Sequence, residues 1–327
     1  MKTILVTGGT GLIGCALKGI EKNYQYNFIF LDSKQCNLTD YRETLHLFEG
    51  LKPVYVIHLA AYVGGLYKQE SSKVKMYEDN ILINTNVIKA ARETGVQRLI
   101  ACLSTCIFPD KTEYPILSEY IHNGPPHPSN EGYAYAKRML EVHCRLCNEQ
   151  FGTDYICITP TNVYGPNDNY NLMDSHVIPG LIHRCYLSKR DAVPFVIKGS
   201  GNALRQFVFN TDLAKIIMGI FENEGTKQCS FIISPHEEYS IKEIVEMIAK
   251  LFENTQPIIF DTTFSDGQYS KTVKGDPIFV RDPVALEKQL MDPTFVRDRE
   301  LFNFTPIKQG LLETIDWFNN EYPNLRK

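Results

Sequence analysis

A single tryptophan, Trp317, and no apolar run approaching the roughly 18 residues that span a bilayer set the first limits on this 327-residue chain. Lysine and arginine total 34 against 38 aspartate and glutamate, a formal charge of −4, with no basic block. That balance excludes a polyanion-binding surface as the main business, so neither nucleic acid nor membrane is an expected partner. No positively charged leader precedes an apolar segment, and the first β-rich run begins almost at Met1. Nine cysteines, an odd number scattered along the chain, read as reduced thiols in a cytoplasmic compartment rather than as a disulfide framework. The pair Cys144 and Cys147 beside His143 has no second CxxC to complete a tetrahedral zinc set, so no metal is expected. With 43% hydrophobic residues the chain can bury a substantial core and is long enough for two domains.

What is there begins with a strand, Thr3 to Thr7, that runs directly into Gly8-Gly9-Thr10-Gly11-Leu12-Ile13-Gly14 and an amphipathic stretch through Leu17 and Ile20. Amides at a helix N-terminus are oriented to bind a pyrophosphate, and glycines let it approach closely. The spacing Gly8, Gly11, Gly14 resembles the dinucleotide fold of the short-chain dehydrogenases/reductases. The second strand, Asn27 to Leu31, ends at Asp32, where an acid would accept from an adenosine ribose. Asp32 leans towards NAD, because a carboxylate repels a 2′-phosphate. Ser33 and Lys34 lean towards NADP, because a lysine there pairs with that phosphate. Asn37-Leu38-Thr39-Asp40 lines the adenine side in this reading. Val54 to Ala61 reads as a buried parallel strand in which His58 is packed, followed by a helix over Met76 to Thr94 carrying Asn80, Asn84 and Asn86, then a strand over Arg98 to Leu103. The alternation predicts an α/β protein: a doubly wound parallel sheet, Rossmann-like, with a smaller C-terminal α/β substrate-binding domain.

Tyr133 and Lys137 stand four apart in a helical segment and so share a face. A neighbouring ammonium favours the phenolate, which predicts a lowered pKa for Tyr133 and a proton donor usable near neutrality. Tyr135 is weaker, since its partner at the same spacing is Met139. Ser104 and Cys106 follow the fourth strand, where ligands of open α/β sheets bind; a small core thiol is the other role open to Cys106. Arg184 and Arg205 offer planar guanidinium groups for a diphosphate.

The combination Ser104-x-Cys106-Ile107-Phe108-Pro109, His122-Asn123-Gly124-Pro125-Pro126, Tyr133-x-x-x-Lys137-Arg138, Pro160-Thr161-Asn162-Val163-Tyr164-Gly165-Pro166 and Ser175-His176-Val177-Ile178-Pro179 resembles the GDP-L-fucose synthase family, from residue 3 to about 272 and again from Phe304 to Trp317. The resemblance implies epimerisation of GDP-4-keto-6-deoxy-D-mannose at C3 and C5 and reduction at C4 with NADPH, although Asp32 leaves NADH open. It implies catalytic roles for Ser104, Cys106, Tyr133, Lys137 and His176. It implies cofactor contacts from Gly8, Thr10, Gly11, Leu12, Ile13, Gly14, Asp32, Ser33, Lys34, Asn37, Leu38, Ala60, Lys137, Pro160, Asn162 and Val163. Substrate contacts fall to Asn162, Arg184, Lys198, Arg205 and Asp266. The implied NADP-binding domain takes residues 1–165 and about 206–235, the substrate-binding domain 166–205 and 236–327, and the implied assembly is a homodimer.

Two departures stand out. Lys198 occupies a position where the family commonly has tryptophan. Asp276-Pro277-Ile278-Phe279-Val280-Arg281-Asp282 recurs sixteen residues later as Asp292-Pro293-Thr294-Phe295-Val296-Arg297-Asp298, without family counterpart and without a functional account. Rival readings are a GDP-colitose synthase, a 4-epimerase or 4,6-dehydratase with resident NAD, and a dinucleotide-sensing regulator. A dehydratase would carry Asp-Glu where Cys106-Ile107 follows Thr105. A regulator of this fold often lacks the Tyr and Lys that are intact here.

Overall fold

The computed structural model describes residues 1–226, 230–264, 272–276 and 303–325. Short, almost wholly apolar runs suit strands covered on both faces, and five of them form β1 (Thr3–Thr7), β2 (Asn27–Leu31), β3 (Tyr55–His58), β4 (Arg98–Cys102) and β5 (Asp154–Pro160). With Ser230–Ile233 they make a six-stranded sheet in the order β2-β1-β3-β4-β5 and then Ser230–Ile233. Every pairing in it is parallel. Along β1 the side chains alternate: Leu5 packs into one core with Phe48, Val87 and Leu140, while Ile4 and Val6 pack into another with Leu17, Leu213 and Ile217. The first core lies under helices α2 (Tyr41–Leu51), α4 (Lys73–Glu93), which the short α3 (Leu66–Ser71) precedes, and α5 (Glu131–Phe151), the second under α1 (Leu12–Ile20) and α7 (Asn210–Glu222). Each fully buried Leu or Ile in these layers contributes about 1.5–3 kcal/mol.

Polar residues inside the layers hold specific pieces together. α2 starts at Asp40 because that carboxylate accepts from the amides of Arg42 at 2.7 Å and Glu43 at 3.0 Å. Asp40 is thereby a helix cap. The three asparagines of α4 are buried and each is spoken for. Asn80 clamps the backbone of Tyr62 at both its N–H and its carbonyl, Asn84 bridges His58 to the Ala136 carbonyl on α5, and Asn86 donates to the Leu38 carbonyl.

A third core gathers Tyr164, Tyr170, Leu181, Phe195, Ile248, Leu311 and Phe318. It joins α6 (Val177–Asp191), the parallel pair Phe195–Lys198 with Ile258–Asp261, α8 (Ile241–Leu251) and the helix Ile307–Glu321. Trp317 packs here with its ring 5.8 Å from that of Tyr170. α8 begins at a reciprocal capping box between Ser240 and Glu243.

The apolar runs Phe207 to Phe209 and Phe231 to Ile233 both read from the sequence as strands returning to the main sheet, and only the second does so. Phe207–Phe209 does not return to the six-stranded sheet but pairs in parallel with β6 (Asn162–Tyr164) as a separate two-stranded ribbon, while Ser230–Ile233 does return. An apolar triplet buried on all sides carries no periodicity to choose its partner. Of the duplicated segment only Asp276 is described, accepting from the Ile232 amide at 2.8 Å; the rest lies outside the described residues.

Candidate active site

The strand order reverses beside β1, between α1-bearing and β3-following connections, and a cleft of 940 Å³ opens at the carboxyl ends of the strands there. Gly8, Thr10, Gly11, Leu12, Ile13 and Gly14 line one end of it. Gly8 has φ +71°, and a Cβ on it would lie 2.8 Å from the Ala60 amide nitrogen. A Cβ on Gly14 would lie 2.6 Å from the Gly8 carbonyl oxygen, so the turn closes against the helix only without one. α1 has Gly11 as its N-cap with no side-chain cap, and the first intrahelical bond runs from Cys15 to Gly11 at 2.8 Å. The amides ahead of Cys15 thus face a glycine-walled cradle, which fits the pyrophosphate of a dinucleotide.

Asp32, Ser33, Asn37, Leu38 and Ala60 line the same end. One oxygen of Asp32 already accepts from the amides of Lys34 at 2.7 Å and Gln35 at 3.1 Å, which spreads part of its negative charge into the loop. Lys34 is the exception among the expected cofactor residues: it is exposed and does not line the cleft. Its backbone is drawn into the turn around Asp32, which leaves the side chain outside.

The opposite wall brings together Ser104, Cys106, Tyr133, Lys137 and His176, with Pro160, Asn162 and Val163 between them and the glycine end. Ser104 caps the short turn Thr105–Ile107 by accepting from the Cys106 amide. Cys106 is 7% exposed and packs with Met76, Tyr133 and Ala134, yet it opens on the cleft. Lys137 is 1% exposed; its ammonium donates to the Cys102 carbonyl at 2.7 Å and stands 5.8 Å from the centre of the Tyr133 ring. Burial lowers the Lys137 pKa, against which the thiols of Cys102 and Cys106 pull it back up. Each charge on Lys137 and Cys106 therefore favours the other.

The sign expected for Tyr133 is reversed. Burial, and then the neighbouring Cys106 and Cys102, push its phenol well above the ordinary value. Desolvation of the phenolate outweighs Lys137, whose ammonium is committed to a carbonyl. The phenol is held as a neutral O–H donor. His58 is a packed strand residue as read: fully buried, it donates from Nε2 to Asn84 and accepts at Nδ1 from Thr7, and burial lowers its pKa to about 3. Its neutral ring ties β3 to α4 directly behind the site.

His176 is the N-cap residue of α6, exposed, with no side-chain cap bond. Arg184, two turns further along α6, donates to the Leu172 carbonyl at 3.0 Å; Arg205 donates to the Leu204 carbonyl at 2.6 Å. Both line the cleft, as does Lys198, whose ammonium lies 4.7 Å over the Phe264 ring. Asp266 lies outside the described residues. Sequence reasoning missed Tyr62, Lys68, Gln69, His127, Asp168 and Asp174, all on the cleft wall. Lys68 and Gln69 come from the short helix Leu66–Ser71 and the others from loops, none with a motif, and only the fold brings them there.

The description "NAD dependent epimerase/dehydratase family" matches residues 4–233 of the chain. A GDP-L-fucose synthase of Dictyostelium discoideum is 43% identical, the match covering 100% of this chain and 98% of that protein. A probable GDP-L-fucose synthase of Drosophila melanogaster is 38% identical with 100% of both covered. Among solved structures, a GDP-L-fucose synthetase from Naegleria fowleri bound to NADP superimposes with a TM-score of 0.86 at 38% identity, covering 100% of this chain and 96% of that one.

Proposed function

Since the chain belongs to the NAD dependent epimerase/dehydratase family, and within it to the GDP-L-fucose synthases, we infer that it converts GDP-4-keto-6-deoxy-D-mannose to GDP-L-fucose, epimerising C3 and C5 and reducing C4. The observation that carries this is the joint presence of Cys106, His176, Tyr133 and Lys137 on one cleft whose far end is a glycine cradle. NADPH, when bound, supplies the hydride for C4. Gly8 through Gly14 would hold its pyrophosphate, and Asp32, Ser33 and Asn37 the adenosine side.

The substrate's C4 ketone acidifies the protons on C3 and C5. Ser104 and Tyr133 each donate a hydrogen bond to the carbonyl oxygen, which takes the negative charge when a proton leaves. Cys106 as thiolate removes the proton, helped by the positive charge of Lys137 in the same buried cluster. His176, exposed at the cleft and free of capping duty, returns a proton to the opposite face. The cycle runs once at each carbon, Cys106 releasing its proton to solvent and His176 regaining one from solvent in between. Tyr133 then gives its proton to the C4 oxygen as the ketone is reduced, a role suited to a phenol that burial keeps protonated. Asn162 and the cations Arg184, Lys198 and Arg205 would hold the sugar nucleotide, the guanidinium groups on its diphosphate.

Initial rates with NADPH and NADH on GDP-4-keto-6-deoxy-D-mannose test this reading. GDP-L-fucose formed faster with NADPH is expected; no ketosugar-dependent oxidation of either nucleotide would refute it. The third core supports assigning residues 166–205 and 236–327 to substrate binding. Free thiols and a chain in which, among the described residues, no helix is long and apolar enough to cross a membrane accord with a cytoplasmic enzyme. The exposed apolar side chains of Tyr77 and Leu82 on α4 and Met139 and Leu146 on α5 support a homodimer across these helices, which a monomeric mass in light scattering would dismiss.

A further inference from the structure

His176 must approach one face of the sugar ring while Cys106 holds the other, yet among the described residues no hydrogen bond fixes its imidazole. Its place is set by backbone alone, and that backbone is tied across the cleft. Two residues earlier, the carboxylate of Asp174 meets the Lys68 ammonium at 3.2 Å and accepts from the Asn169 amide group at 3.1 Å. The Asp174 carbonyl accepts from the Gly65 amide at 2.8 Å, and a Cβ on Gly65 would lie 2.4 Å from the Ser175 carbonyl oxygen. The two loops are therefore in direct backbone contact, and Lys68 closes the contact from the side. Lys68 is itself steered by the Tyr62 ring, 4.9 Å from its ammonium, and Tyr62 is clamped to α4 by Asn80. Both partners of the ion pair keep 27% side-chain exposure. A pair that open contributes little to global stability, so its use is sought locally.

We propose that Lys68 and Asp174 are positioning residues for epimerisation: their ion pair, with the Gly65–Asp174 hydrogen bond, holds the segment carrying His176 against the loop after β3 and so sets the imidazole opposite Cys106. The inference rests on the proposed epimerase-reductase function. Neither residue donates or accepts a proton from the sugar. Tyr133 and Lys137 stand on α5 and Ser104 caps the turn just after β4, so none of them depends on this tie, and reduction of C4 survives its loss while inversion suffers. Misplacement of a catalytic group by about 1 Å costs on the order of 100-fold.

The test uses the full chain with GDP-4-keto-6-deoxy-D-mannose and NADPH in heavy water, reading deuterium at C3 and C5 and the ratio of epimerised to unepimerised reduced product. Lys68→Met and Asp174→Asn are expected to lower deuterium incorporation about 10- to 100-fold and to shift the product towards the unepimerised sugar, with Lys68→Arg restoring the wild-type ratio. An unchanged ratio in both variants overturns the proposal, and so does a parallel fall of exchange and reduction, the mark of a merely structural role. Wild-type enzyme that reduces the ketone without exchanging either hydrogen overturns the functional reading itself.

Discussion

Cys106→Ser is expected to yield an enzyme that reduces the ketosugar without inverting it, with proton removal at C3 and C5 slowed about 10²- to 10⁴-fold. A hydroxyl is close in size to a thiol and fits the space among Met76, Tyr133 and Ala134, so folding is not the variable. What changes is basicity: an alcohol is not ionised by a neighbouring ammonium to the extent a thiol is. The Lys137 charge that favours a Cys106 thiolate then has no anion to pair with. Product analysis decides the matter. A C4-reduced, unepimerised GDP-sugar from the variant, with an unfolding midpoint near that of the wild type, is the expected result. Wild-type yields of GDP-L-fucose would remove Cys106 from the mechanism.

Tyr133→Phe is expected to have the complementary effect, lowering the rate of hydride transfer to C4 about 10²- to 10⁴-fold. The ring keeps its packing against Met76 and Ala134, and only the O–H is lost. Because burial raises the Tyr133 pKa well above its usual value, the donating form predominates throughout the neutral range. The sign of the shift then requires the loss to be the same at pH 6 and at pH 8. A tyrosine with a depressed pKa would instead ionise as pH rises, and the gap between variant and wild type would shrink. Single-turnover nucleotide oxidation by absorbance at the two pH values measures it.

These two residues show what the sequence made legible and what it withheld. Ser104-x-Cys106 and Tyr133-x-x-x-Lys137 are local patterns, and the strand end and helix face that carry them were readable from apolar runs and spacing. The glycine cradle was readable for the same reason: Gly8, Gly11 and Gly14 act through the backbone within seven residues of one another. Burial was not readable, and it decides the pKa of Tyr133, since a neighbouring Lys137 visible in the sequence gives the opposite sign from desolvation. Pairings between distant segments were hidden too. Lys68 meets Asp174 across 106 positions, and Phe207–Phe209 chooses Asn162–Tyr164 over the central sheet, with nothing in either segment to announce the partner. The asparagines of α4 were visible in the sequence as members of the helix over Met76 to Thr94, but not their partners. Only the structure shows what they bond: Asn80 both backbone groups of Tyr62, Asn84 the His58 ring and the Ala136 carbonyl, and Asn86 the Leu38 carbonyl, which places the loop before Lys68 and the rear of the cluster around Cys106 and Tyr133 in register.

The account depends on Cys106 and His176 acting on both faces of one ketosugar while a nicotinamide cofactor reduces it. The most direct measurement is the isotopic composition of GDP-L-fucose made by the wild-type enzyme from unlabelled substrate and NADPH in heavy water. Solvent deuterium at C3 and at C5, with protium delivered from the cofactor at C4, is the predicted pattern. Product that retains substrate protium at C3 and C5 would contradict it.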